Sequence, residues 1–196
     1  TWFDLTSNGN NGTLSTPSWN SNYFHFNGLS YPNGDIVTTS GFYGFSVQTW
    51  AVWVNPDVLQ RSEFMQTYPS GTIPQGAMYI EMSNTSGNVV AGVRNSSGST
   101  IAVTSTATLT VGTWTHVAVT SDGSNIKIYI GNAAPVSAAA TVSSLGTNTQ
   151  SLALGYEPRN PTLARYFDGK MSKVRVYDTA LTQSEINALV AEGSGA

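Results

Sequence analysis

The sequence predicts an all-β fold, and three observations carry that prediction. Charged residues make up only 10% of the chain, against about 25% in an average globular domain, so Ser, Thr, Asn and Gly must supply solubility. Those residues favour turns and half-exposed strands over helices. Short runs of alternating polarity recur at intervals of roughly 10 residues between turn clusters, the spacing of a sandwich or barrel. The third observation is the stretch from Thr113 to Gly131, TWTHVAVTSDGSNIKIYIG. Thr115, Val117 and Val119 alternate against His116, Ala118 and Thr120, and Ile126, Ile128 and Ile130 alternate against Lys127 and Tyr129. Each run has one apolar face, and Ser121-Asp122-Gly123-Ser124-Asn125 closes the pair as a hairpin.

Composition also excludes function classes. The 196 residues fit one domain, and 40% hydrophobic content is enough for a core. A net charge of −3 with scattered basic residues argues against nucleic-acid binding, since no Lys/Arg cluster is available to neutralise phosphates. No apolar run approaches the roughly 18 residues of a membrane span, and no signal peptide is read. The start at Thr1 reads as a mature product or an excised module. Zero cysteine removes disulfides, thiol chemistry and Cys-ligated zinc.

In chain order, an apolar segment leads into the turn dipeptides Asn8-Gly9 and Asn11-Gly12. Tyr23–Phe26 alternates, and Asn27-Gly28 turns the chain. Residues 29–44 read as loop with a short strand near Ile36–Thr38. Phe45–Val54 is the longest strand, apolar on both faces and therefore central, and Pro56 ends it. Further strands are expected at Phe64–Tyr68, Ala77–Met82, Val89–Arg94 and Thr100–Ser105. Residues 133–151 have weak character; Leu152–Gly155 is a short strand, and Tyr166–Tyr177 holds one or two more. Thr182-Gln183-Ser184-Glu185 is a capping box opening one short helix, which Gly193 stops. Residues 193–196 read as a tail or linker. No repeat or composition shift divides the chain, so residues 1–196 are expected to form one domain.

Four segments in order resemble the concanavalin A-like lectin/glucanase superfamily, in its laminin G-like branch. They are WFDLTSNGNNGTL at 2–14, YFHFNG with FSVQTWAVWVNPD at 23–28 and 45–57, the Thr113–Gly131 hairpin, and LALGYEP with YFDGKMSKVRVYDTALTQSEINAL in the last quarter. The resemblance implies a two-sheet antiparallel jelly-roll sandwich with one short C-terminal helix. Two departures stand out: Gly131-Asn132 replaces the family's Asn-Gly, and Met171-Ser172 replaces its Ile-Asp, removing a carboxylate that could face a metal.

Glycoside hydrolysis needs two carboxylates about 5–9.5 Å apart, and glucanase relatives supply them as E-x-D-x-x-E on one strand. Here no strand carries a same-face acidic pair, and distant acids would have to meet in space. His25 and His116 are the only histidines. No G-x-S-x-G elbow accompanies them, and His116 is expected to be a hydrogen-bonded structural imidazole. Calcium takes 6–8 oxygen ligands. Asp4, Asn8 and Asn11 offer them, with Asp168 joining if its strand lies beside the N-terminus, and the resemblance implies a structural calcium at the rim. The competing reading makes these residues turn formers only. Loop aromatics are the usual sugar platform, and Tyr31, Phe42, Tyr43, Tyr68 and Tyr156, with Arg159 and Asn160, are the candidate ligand contacts.

The expected function is a non-catalytic recognition module that binds carbohydrate, lectin-like, or a protein surface. It would be tethered within a larger extracellular, cell-surface or virion-surface protein. A structural or decorating module of a phage particle or adhesin is the alternative, and a glucanase-like hydrolase the third.

Overall fold

A computed structural model of the chain describes residues 3–14, 17–29, 37–39, 46–67, 75–142, 151–157 and 165–196. Among these, the strands form two seven-stranded antiparallel sheets, as expected of the sandwich. The front sheet runs β1 (Gly12–Leu14), β4 (Val37–Thr39), β13 (Ala153–Leu154), β6 (Ser62–Gln66), β7 (Met78–Met82), β8 (Asn88–Arg94), β9 (Thr100–Thr108). The back sheet runs β12 (Val136–Ala139), β11 (Asn125–Ile130), β10 (Thr115–Asp122), β5 (Val47–Pro56), β14 (Asp168–Tyr177), β3 (Tyr23–Asn27), β2 (Ser18–Asn20). From β3 to β6 the chain changes sheet at every connection, so neighbours in a sheet come from distant parts of the sequence.

The predicted hairpin is β10–β11, in register from Val117↔Ile130 to Ser121↔Ile126. Its turn is tighter than expected. Asp122 and Asn125 already belong to the strands, and Gly123 takes the left-handed φ of +85° between them. Asp122 Oδ1 holds the turn by accepting from the backbone N–H groups of Ser124 (2.9 Å) and Asn125 (2.7 Å). Val117, Val119, Ile126 and Ile128 enter the inter-sheet core beside Trp50, Val52 and Val54 of β5. Burying each such side chain stabilises the fold by about 1.5–3 kcal/mol before entropy is counted.

β5 is buried on both faces, as its pattern requires. Its second face carries Ala51, which with Ala118 and Tyr129 is covered by Ile186 and Leu189 of the helix α1 (Gln183–Ala191). Two alanines on this face let the helix come close. Thr182 and Glu185 form the expected reciprocal capping box, a cap that contributes about 1 kcal/mol. Ser172, the departure from the family's Asp, donates its hydroxyl to the carbonyl of Ser194 at 2.8 Å and ties down the chain after the helix.

Several boundaries differ from expectation. β6 begins at Ser62, two residues before the expected strand, and β9 continues to Thr108. The short strands β1, β2 and β12 form in segments whose own residues signal turns or nothing. Partner strands, rather than local propensity, specify such short pieces.

Candidate functional site

The outer face of the front sheet holds the constellation that the sequence does not announce. Met65 pairs with Ile80, and Phe64 and Met65 are both in the core, because a bulge falls between Glu63 and Met65. The extra residue reverses the side-chain alternation. Glu63 and Gln66, three positions apart, therefore share the outer face, opposite Glu81 and Tyr79 respectively. Glu63, Gln66 and Glu81 are nonetheless buried, at 1%, 1% and 4% exposure.

Two guanidinium groups hold the acids. Arg61 donates from Nε and Nη2 to Glu81 Oε2 and Oε1, at 3.2 and 3.0 Å. Arg165 Nη1 lies 2.5 Å from Glu157 Oε2, 3.7 Å from Glu63 Oε1 and 3.9 Å from Glu81 Oε2. Burial pushes the Glu63 carboxyl well above its ordinary value, and the charges of Glu81 and Glu157 and a hydrogen bond to Glu81 push the same way; Arg165 opposes them. Ionisation of Glu63 is therefore disfavoured, and its Oε2 has no hydrogen-bond partner.

Beside this network Gln66 is anomalous. Both its amide oxygen and its amide nitrogen are buried without a hydrogen-bond partner. Its cross-strand neighbour Tyr79 is half-buried and lies over Gly92 of β8, where a Cβ would come 2.2 Å from the ring's Cε1. Gly92 is therefore needed for that ring position. Farther along the same row, Ala102 of β9 is exposed. The face thus grades from open at β9 to buried at β6.

A second polar patch lies on the outer face of the back sheet, away from α1. His25, Lys170 and Asn55 are successive cross-strand partners there. His25, Asp57 and Asp168 bring possible ligand atoms within 4.8 Å of one another. His25 Nε2 is 2.9 Å from Asp57 Oδ2, and Lys170 Nζ is 2.5 Å from Asp57 Oδ1. Burial raises the Asp57 carboxyl, but Lys170 and His25 outweigh it and hold it below its usual range. Asp168 is pushed up by burial and by Asp57.

The trio of His25, Asp57 and Asp168 does not fit calcium. In the rim trio one donor is a ring nitrogen, and the Lys170 ammonium already stands against Asp57 where a cation would. At Asp4, Oδ1 accepts from the Thr6 N–H (2.8 Å) and hydroxyl (2.7 Å), Oδ2 accepts from the Asn10 N–H (2.9 Å), and Asn11 Oδ1 accepts from the Asp4 N–H (3.0 Å). Asn8 donates its backbone N–H to the Thr6 hydroxyl at 3.2 Å. These bonds tie Asp4, Asn8 and Asn11 into one turn. Asp168 joins His25 and Asp57, and Asp4 is not in that cluster.

Of the expected ligand contacts, Tyr156 is half-buried and stacks on Tyr166, with ring centroids 6.4 Å apart and planes inclined by 13°. It directly precedes Glu157 of the acid network. Tyr31, Phe42, Tyr43, Tyr68, Arg159 and Asn160 lie outside the described residues. His116 is a core residue, 2% exposed, with its ring against Trp53 at 5.4 Å. Its Nδ1 is buried without a partner, so it is held by packing rather than by the expected hydrogen bond at that atom. Burial, and then Arg175, lower its pKa to about 4.

Glu63, Gln66, Glu81 and Arg165 escaped sequence analysis. The available signal was the placing of Glu63 and Glu81 inside the apolar runs SEFMQ and MYIEM of a chain with few charges.

Known proteins of this shape are numerous. The binding domain of Paraclostridial Mosquitocidal Protein 1 superposes with a TM-score of 0.71 at 15% identity, over 97% of this chain and 49% of that one. This chain thus spans about half the length of that domain. A heptameric SAP-like pentraxin from Limulus polyphemus gives 0.66 at 17% identity, over 85% and 80% of the two chains. Domain 4 of AbnA, an extracellular arabinanase from Geobacillus stearothermophilus, in complex with arabinotriose, gives 0.68 at 20% identity, over 92% and 88%. By sequence, no curated protein matches the chain. The family described as the concanavalin A-like lectin/glucanases superfamily, in its laminin G-like form, matches residues 8–187. The four ordered segments, the two-sheet sandwich and this match agree, and the chain belongs to the concanavalin A-like lectin/glucanase superfamily.

Proposed function

We propose that this chain is a non-catalytic carbohydrate-recognition module whose ligand engages the outer face of the front sheet. The observation that carries the reading is the half-buried Tyr79 ring on that face, beside Gln66 and a carboxyl–guanidinium network. Polar groups around an aromatic face suit a ligand that carries hydroxyl groups. Sugars present such hydroxyls together with apolar ring faces that aromatic side chains accept. That domain 4 of an extracellular arabinanase, a structure in complex with arabinotriose, has this fold supports the choice of ligand class.

Hydrolysis fits the site less well. Glu63 and Glu81 are direct cross-strand neighbours, both buried, and Glu81 is clamped by Arg61, whereas displacement at a glycosidic bond needs two carboxyls standing apart around the sugar. The module is expected to act outside the cell, tethered in a larger protein. Glycan-array binding by the wild-type chain, lost in Tyr79→Ala, is the expected result. A silent array would transfer the reading to a structural or decorating module.

A further inference from the structure

We propose that the front-sheet site takes acidic glycans, with the Arg94 guanidinium receiving their carboxylate or sulfate groups; this deepens the carbohydrate reading above and rests on it. The chain has only eight Lys and Arg residues, of which Arg159 lies outside the described residues. Arg61, Lys127, Arg165, Lys170, Lys173 and Arg175 each stand in an ion pair with a carboxylate. Arg94 is the exception, for among the described residues no carboxylate pairs with it. A cation left over in a chain of net charge −3 is a feature that folding alone does not require.

Its position joins it to the site. Val89, Ala91 and Val93 of β8 enter the core, so Val90, Gly92 and Arg94 face outward with Tyr79, the cross-strand partner of Gly92. Arg94 is half-buried, and its Nη2 lies 3.6 Å from where a Cβ would stand on Gly98, against the β8–β9 turn. That turn, residues 95–99, contains no acid, and Ser97, Ser99 and Thr100 there are exposed. Gly92, under the Tyr79 ring, and exposed Ala102 form the next cross-strand row and raise no bulky side chain. A saccharide laid over this row has an aromatic ring at one end and the guanidinium along its side. The guanidinium presents a planar fork of N–H donors with a full charge, which matches a carboxylate or sulfate better than a neutral hydroxyl.

Arg94→Gln tests the assignment, because it removes the charge and keeps much of the side chain's length. Wild type and variant are compared on an array of neutral, uronate- or sialate-bearing, and sulfated oligosaccharides, at low and high salt, with thermal melting of both proteins. The expected result is wild-type binding to one or both acidic classes, and which class binds tells carboxylate from sulfate. That binding weakens as salt screens the contact and falls about tenfold or more in the variant. The two proteins are expected to melt within about 2 °C of each other, as for a surface group without an ion-pair partner. Hits confined to neutral glycans, undiminished binding by the variant, or binding that ignores salt would each overturn the proposal while leaving a sugar-binding module in place. A variant that melts well below wild type would make Arg94 a structural residue and overturn it as well. If no glycan class binds the wild type, the carbohydrate reading itself falls.

Discussion

The two outer faces of this sandwich are built on opposite principles. On the back sheet, Ala51, Ala118 and Tyr129 meet Ile186 and Leu189 of a capped helix, and Arg175 pairs with Glu192 at the helix end. On the front sheet, three carboxyls and an amide are sunk against two arginines, and the amide has no partner. The first arrangement draws stability from apolar packing, although His116 Nδ1 and Asn55 Oδ1 of that sheet also lack partners. The second gives some up, since buried charges seldom recover their desolvation and an unsatisfied amide never does.

Substitutions on the two faces sharpen this contrast. Arg165→Ala has the largest expected effect, a loss of about 3–5 kcal/mol, because it takes a guanidinium away from the buried Glu157 and weakens the hold on Glu63 and Glu81. Ile186→Ala, which opens a cavity under the helix, is expected to lose about 2–4 kcal/mol and to leave glycan binding unchanged. Denaturant titration measures both. Equal and small losses would mean that the acid network is well hydrated and the two faces are not distinct in kind.

The faces also respond oppositely to pH. His116, on the back sheet, has its pKa lowered from 6.5 to about 4. The unfolded chain then binds the extra proton first, so the contribution of His116 is full above 6.5 and is lost as pH falls toward 4, by at most about 1.4 kcal/mol per unit. Glu63, on the front sheet, is raised above 4.5. Its contribution is full below that value and is lost as pH rises toward its folded-state titration. His116→Gln is expected to move the stability maximum to lower pH, and Glu63→Gln to higher pH. Melting curves between pH 4 and 8 read both shifts, and a maximum that moves the same way in the two variants contradicts the assignment.

The smallest expected effect is that of metal removal. Lys170 occupies the charge position at Asp57, and Asp4 accepts three hydrogen bonds from within its own turn. Excess EDTA and added calcium are therefore expected to give the same melting midpoint. A rise with calcium of more than about 2 °C would show a cation displacing those internal partners.

Much of the fold was legible from residue order. The Val and Ile alternation of the hairpin, the two-faced Phe45–Val54 run and the Thr182–Glu185 box each act over a few residues, and period and capping are local properties. Of the expected ligand contacts, Tyr156 is the one among the described residues, and it lies beside Glu157. The Asp4–Asp168 grouping depended on the closing strand lying beside the N-terminal turn. Instead Asp168 pairs against Asn27 and meets His25 and Asp57, which belong to β3 and the end of β5.

By itself the sequence determined an all-β sandwich of this superfamily, because strand period, turn chemistry and the helix cap are written within short windows. The tertiary structure alone decided where its chemistry gathers. Glu63 and Glu81 are eighteen positions apart and become neighbours only through β6–β7 pairing, and Arg165 joins them from a segment a hundred residues later. Gln66 shares their face only because one bulged residue reverses the alternation between it and Glu63. Register and bulges arise between strands, so no single strand's sequence contains them.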